Sequence, residues 1–154
     1  QLPSYLMVKS NAGTIGSNPE GCAALSKFVN VFTGEGSWQK LGPHGAAGGC
    51  SSMVYWNPDV CLSLWQAVEA HDWETVNRQA EPVARLFDFL HAEFGTSGYT
   101  DTAFDRLGGL ASGFLKTSMK SRGPYRSASA EDVEKLRSWY AAEFPAMLEF
   151  GSAE

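Results

Sequence analysis

The sequence predicts an α/β fold in which a short parallel sheet comes first and a run of helices follows. Near its start, three short β-prone runs are separated by helical segments, which is the pattern of parallel strands with helical crossovers. The later residues carry apolar side chains at helical spacing. A length of 154 residues, with 44% hydrophobic and 19% charged residues, is typical of one folded globular domain.

The first predicted strand is residues 5–9, in which mostly apolar residues run into a lysine before small polar residues and glycine follow. Side chains alternate along a strand, so Tyr5, Met7 and Lys9 share one face. The run predicts a buried strand with Lys9 at its carboxyl end, where parallel α/β folds carry catalytic groups. A solvated surface lysine is the alternative that the residues alone leave open.

The rest of the first segment, residues 1–56, is predicted to complete a βαβαβ unit. Asn18 and Pro19 have the residue types of a helix N-cap and first helical position, and this helix should run to about Phe28. Two further strands are predicted at 29–33 and 45–51, with a brief helix at 38–41 between them.

The remaining residues are predicted to be helical. Residues 57–94 should form closing helices, opened by Asn57-Pro58 and broken at His71-Asp72. Residues 95–154 should form a C-terminal helical extension, with one helix from Thr102 to about Lys120 and another from Ser129, in a capping-box-like start, through Phe144.

Three parallel strands do not make a complete domain, because the sheet would have two bare edges and an uncovered apolar face. A complete (β/α)₈ barrel needs roughly 200 residues or more. We therefore expect the last part of a (β/α)₈ TIM barrel, comprising three βα units and a helical tail. Because the chain starts at Gln1 and a strand follows within a few residues, we expect the natural N-terminus to lie upstream.

Composition disfavours several classes of function. A net charge of −5 and scattered basic residues argue against nucleic-acid binding. No apolar stretch is long enough to span a membrane, and no signal-peptide pattern is present. Cys22, Cys50 and Cys61 form no CxxC pair, which predicts reduced thiols in a cytoplasmic protein. The three histidines show no metal-ligand spacing, so no metal site is expected.

Four landmarks in order along the chain resemble the C-terminal half of the dihydrodipicolinate synthase/N-acetylneuraminate lyase family of class I aldolases. They are Met7-Val8-Lys9-Ser10, then Thr33-Gly34-Glu35, then Gly45-Ala46-Ala47-Gly48 with Cys50-Ser51 and Asn57-Pro58, and finally Arg122-Gly123-Pro124 with Ser129-Ala130-Glu131. Ser10 departs from the glutamate that usually follows the family's lysine.

The resemblance implies that Lys9 forms a Schiff base with a small 2-oxo acid, without a cofactor. It also implies that the backbone of Gly34 and the position of Cys50 line the substrate pocket. A carboxylate-binding turn and a proton-relay tyrosine would lie on the earlier strands, so activity is expected only with the N-terminal half of the same barrel. The family also implies a homo-oligomer, commonly a tetramer.

Aromatic residues around Trp38 and Trp56 are most similar to the family's hydratase-aldolases, which act on benzylidenepyruvates in aromatic hydrocarbon catabolism. This predicts a lyase that cleaves an aryl-substituted pyruvate to an aromatic aldehyde and pyruvate. The expected site comprises catalytic Lys9 and the substrate-binding residues Gly34, Glu35, Trp38, Cys50, Ser51 and Trp56.

Three alternatives remain open. The aldehyde could be non-aromatic, as for the synthase and lyase branches of the family, or the chain could be a non-catalytic half-barrel that serves as an assembly partner. The two tryptophans could also be packing residues rather than pocket residues.

Overall fold

The computed structural model describes residues 5–151, and within this range it contains a parallel sheet of three strands and six α-helices. The sheet order follows the chain order, with strands β1 (Met7–Lys9), β2 (Asn30–Thr33) and β3 (Ala46–Gly49). The helices are α1 (Pro19–Leu25), α2 (Trp38–Leu41), α3 (Pro58–Glu69), α4 (Trp73–Phe94), α5 (Asp101–Ser112) and α6 (Ala130–Glu143). The predicted parallel sheet followed by helices is therefore confirmed. The expected continuation before Gln1 lies outside the described residues.

The chain divides into two compact units. The first consists of the residues up to Ser51 together with Leu64–Glu81, and the second consists of Ser52–Ser63 together with the residues from Pro82 onward. The predicted division into segments 1–56, 57–94 and 95–154 is a different one, and it stays a prediction.

In the first unit, one face of the sheet packs against α1. Val8 pairs with Val31 and Val31 with Ala46 in register, so these side chains form one row across the strands. Val31 packs with Cys22 of α1 and Leu41 of α2, all three at 1% exposure or less. Helix α1 begins as predicted, because the Asn18 side chain accepts a hydrogen bond from the Gly21 amide at 2.9 Å and Pro19 takes the first turn.

The start of the chain differs from the prediction of a buried strand. Strand β1 covers only Met7–Lys9, and Tyr5, Leu6 and Met7 are 65%, 72% and 48% exposed. The reason is that β1 is the edge strand of the sheet formed by the described residues, and β2 pairs with one side of it only. Among residues 5–151, Val8 packs against the core, but Tyr5, Leu6 and Met7 are left uncovered.

Two helix ends also differ from the predictions. Helix α1 ends at Leu25 rather than near Phe28, and α5 ends at Ser112, well before Lys120. The second difference follows from Gly113, which has φ of 90° and closes the helix with its amide on the Gly109 carbonyl. At the other helix start, the capping box of Ser129 and Asp132 is present as predicted.

In the second unit, Asn57 ties the start of α3 to the final segment of the chain. Its Oδ1 atom accepts hydrogen bonds from the amides of Asp59 and Val60, at 3.0 and 3.3 Å. Its Nδ2 atom donates to carbonyl oxygens of the C-terminal segment, those of Ala146, Met147 and Glu149, at 3.0, 3.4 and 2.8 Å. Asn57 is fully buried, so its side-chain amide needs hydrogen-bond partners within the protein, and these backbone groups supply them.

Replacing Asn57 with aspartate should lower the free energy of unfolding by about 2–4 kcal/mol, because the N-cap acceptor remains but the donor to the carbonyls is lost. The measurement is urea denaturation followed by tryptophan fluorescence. The exposed Asn77→Asp provides the matched control and should change stability by less than about 1 kcal/mol. Equal effects of the two substitutions would contradict the assigned role of Asn57.

Candidate active site at the strand ends

The candidate site lies at the carboxyl ends of the three parallel strands. Lys9 is the last residue of β1 and pairs in register with Phe32 of β2, whereas Thr33 pairs with Gly49. The loops that follow β2 and β3 begin with Gly34-Glu35 and Cys50-Ser51. The sheet therefore brings five of the predicted site residues to the carboxyl ends of its strands. They are Lys9, Gly34, Glu35, Cys50 and Ser51.

Backbone hydrogen bonds continue the strand pairing beyond the three strands and fix these strand ends. The Ser10 amide donates to the Phe32 carbonyl, and the Cys50 amide donates to the Thr33 carbonyl, both at 2.8 Å. Thr33 is fully buried. The structural role of Thr33 was not predicted from the sequence, because its carbonyl accepts a hydrogen bond from a residue that is distant along the chain.

Trp38 supports the strand ends through packing. Its indole Nε1–H donates to the Thr33 carbonyl at 3.1 Å, and its ring meets that of Trp65 edge to face, with 5.2 Å between centroids. A Cβ atom added at Gly49 would overlap the Trp38 ring, so the β3 backbone lies directly against it. With 2% of its surface exposed, Trp38 has the contacts of the packing alternative.

Lys9 and Glu35 differ sharply in exposure. Glu35 is 6% exposed and opens the 3₁₀ turn Glu35–Ser37, directly after Gly34. Lys9 is exposed, because it lies on the edge strand of the described sheet. The dry surroundings expected for a Schiff-base lysine are therefore not formed by residues 5–151 around Lys9.

Ser10 is buried against the turn that contains Gly16. It is 4% exposed, and a Cβ atom added at Gly16 would overlap its hydroxyl group. A side chain at position 16 would therefore displace the Ser10 hydroxyl group, which explains the glycine there.

Gly34 is not required for packing among residues 5–151. Its φ and ψ of −78° and 158° are open to any residue, and an added Cβ atom would meet only the Cys50 carbonyl oxygen, at 3.9 Å. The space next to Gly34 is therefore free, as a position that lines a substrate pocket would need.

Trp56 belongs to the second unit. It is 2% exposed, its ring centroid lies 6.2 Å from that of Phe87, and a Cβ atom at Gly108 would overlap its indole group. It lines a cavity of about 400 Å³ within that unit together with Asp105, a residue for which the sequence predicted no role.

Other kinds of site were sought in the same residues. Within residues 5–151, no three His, Cys, Asp or Glu side chains converge in a way that could hold a metal ion. No helix in that range combines the length and the hydropathy needed to cross a membrane. Cys22 is buried, which raises the pKa of its thiol.

Comparison with solved structures supports the fold. A crystal structure of a Pseudomonas aeruginosa protein, provisionally assigned as a dihydrodipicolinate synthetase, matches 87% of this chain and 54% of its own, with a TM-score of 0.57 and 18% identity. PhdJ bound to a substrate intermediate matches 96% of this chain and 47% of its own, with a TM-score of 0.67 and 20% identity.

The chain therefore spans about half the length of these two structures. The likeness agrees with the predicted partial barrel and identifies the class of fold. Neither a protein-family model nor a curated protein sequence matches the chain.

Gly34→Ala and Gly49→Ala should separate a role in binding from a role in packing. Gly34→Ala should change stability by less than about 1 kcal/mol, yet lower kcat/KM by about tenfold or more if its surface faces the substrate. Gly49→Ala should destabilise by about 1–3 kcal/mol, because its methyl group overlaps the Trp38 ring. Melting curves and steady-state kinetics measure both effects. A stable Gly34→Ala variant with unchanged kinetics would remove Gly34 from the site.

Proposed function

We propose that this chain forms the C-terminal half of a Schiff-base (class I) pyruvate-dependent lyase in which Lys9 is the covalent residue. The observation that carries the proposal is the position of Lys9. It ends β1 beside the ends of β2 and β3, where Gly34 leaves free space and Cys50 continues the strand pairing. The similarity of the fold to PhdJ, solved with a substrate intermediate, and to a protein assigned as a dihydrodipicolinate synthetase supports it.

The chemistry needs an uncharged amine at Lys9. The amine would attack the keto carbon of a pyruvate-type substrate, and loss of water would leave an iminium ion. The hydroxyl group on carbon 4 gives its proton to a base as the bond between carbons 3 and 4 breaks. The electron pair of that bond moves toward the iminium group, and an aldehyde leaves. Protonation of the resulting enamine and hydrolysis then release pyruvate and restore the amine. In a hydratase-aldolase, addition of water to the substrate alkene precedes the cleavage.

The proposed partner is the N-terminal half of the same barrel. Its strands would pair with the open edge of β1 and cover Tyr5, Leu6 and Met7, which are exposed in this chain. Covering this edge would also dehydrate Lys9, which favours the uncharged amine. The same half would supply the carboxylate-binding turn and the proton-relay tyrosine, and the complete barrels would assemble into a homo-oligomer.

For the substrate, we propose an aryl-substituted pyruvate of the benzylidenepyruvate type. This choice rests on the resemblance of the aromatic stretches around Trp38 and Trp56 to those of the hydratase-aldolases. The contacts of Trp38 favour a second candidate, an aldolase that acts on a non-aromatic aldehyde. These contacts explain the presence of a tryptophan at position 38 by packing alone, so no aromatic substrate is needed to explain it.

Lys9 is tested by trapping. Borohydride added with pyruvate should attach one pyruvate-derived group to each chain of the active protein, because reduction converts the iminium to a stable secondary amine. Peptide mapping by mass spectrometry should locate that group on Lys9. The Lys9→Arg variant should take up no group, since arginine retains the charge but offers no free amine at usable pH.

Lys27→Arg is the matched control and should be labelled like the unmodified protein. Label that persists in Lys9→Arg would show that another lysine reacts. A correctly folded and assembled protein that takes no label would favour the non-catalytic assembly partner.

Trp38→Ala should lower the free energy of unfolding by about 3–5 kcal/mol, as expected for removal of a large buried side chain. If Trp38 acts only through packing, kcat/KM should fall by the same factor for aryl and alkyl substrates. Melting curves and kinetics on one substrate of each type measure these effects. If kcat/KM fell by about tenfold or more for the aryl substrate only, with stability retained, Trp38 would instead be a residue of the substrate pocket.

A further inference from the structure

The cavity in the second unit has the composition of a small-molecule site. Its volume of about 400 Å³ lies within the range of roughly 300–1,000 Å³ that is typical of ligand pockets. Apolar and aromatic side chains form much of its lining, including Trp56 and Phe87, which contact one another, and Phe104 of α5. Three separate stretches of the chain, around residues 52–56, 87–95 and 101–105, contribute to it.

The polar part of the lining is acidic. Asp101 and Asp105 both line the cavity from α5, while Ser52, His91 and Trp56, through its indole N–H, are the other side chains there with polar atoms. No lysine or arginine is part of the lining. The cavity thus offers carboxyl groups beside aromatic faces, and both of these attract a positively charged group.

Asp105 has unused capacity to accept a hydrogen bond. Ser52 hydrogen-bonds to its carboxyl group, but the buried atom Oδ1 has no partner among the described residues. Burial and repulsion from Asp101 raise the pKa of Asp105, while the Ser52 hydrogen bond opposes this change. A cation in the cavity would offset the repulsion between the two carboxylates.

We infer that this cavity binds a small organic cation, an ammonium group carried on an aryl or aryl-alkyl body, with Asp105 as its principal anionic partner. The aryl body packs among Trp56, Phe87 and Phe104, and the ammonium group lies between Asp105 and Asp101. Lys9 has no part in this site. Binding of the cation is therefore independent of the proposed lyase activity.

Three probes that share a phenyl ring test the site: 2-phenylethylammonium, 2-phenylethanol and phenylacetate. Isothermal titration of the intact protein at pH 7.5 should give saturable binding of the cation at one site per chain. We expect the alcohol to bind at least about tenfold more weakly, because it lacks the charge-assisted hydrogen bond. Phenylacetate should bind more weakly still. Equal affinity for the cation and the alcohol, or no saturable binding of the cation, would overturn the inference.

Variants then locate the site. Asp105→Asn should weaken binding of the cation by about tenfold or more and leave binding of the alcohol unchanged. Asp88→Asn removes the same charge from a position of α4 outside the cavity lining and should have no effect. Lys9→Arg should also bind the cation normally, so a failed lyase test leaves this result intact. Unchanged affinity in a folded Asp105→Asn protein would refute the role of Asp105.

If Asp105→Asn does not fold, the unmodified protein still decides the question. In an NMR titration with 2-phenylethylammonium, the indole N–H resonance of Trp56 should shift in a saturable way, whereas that of Trp73 should not. Saturable shifts confined to other tryptophans would place the cation elsewhere and contradict the inference.

Discussion

The carbonyl oxygen of Thr33 is the point on which the candidate site depends. It receives the Cys50 amide at 2.8 Å and the Trp38 indole N–H at 3.1 Å. One acceptor therefore links the end of β2 to the loop after β3 and to helix α2. Both bonds lie in a buried region, where an unsatisfied carbonyl would cost about 1–3 kcal/mol. The positions of Gly34 and Cys50 follow from this arrangement.

Local chemistry made several features predictable from the sequence. The N-cap at Asn18 and the capping box at Ser129 depend on residues within one helical turn, and both are present. The end of α5 was predicted wrongly, because apolar residues continue the helical pattern past Gly113, whose left-handed conformation depends on its surroundings. The apolar run that ends in small polar residues and glycine placed Lys9 at a strand end, and the sheet has it there.

Features that depend on residues far apart in sequence were not predictable. No pattern along the chain shows that the Cys50 amide bonds to Thr33, or that Asp105 shares a cavity with Trp56. The exposure of β1 is a similar case. An apolar run predicts burial, but whether a strand is covered depends on elements elsewhere. We propose that the N-terminal half covers β1, and the same contact would supply the dry surroundings that Lys9 chemistry needs.

The most direct measurement of the central claim is a crystal structure of the complete enzyme after borohydride reduction with pyruvate. We expect continuous electron density from the Lys9 Nζ atom to carbon 2 of the pyruvate-derived group. This group should lie in the space beside the backbone of Gly34 and Cys50, with added strands covering β1. An adduct on a different lysine, or a group on Lys9 that points into solvent away from Gly34, would contradict the claim.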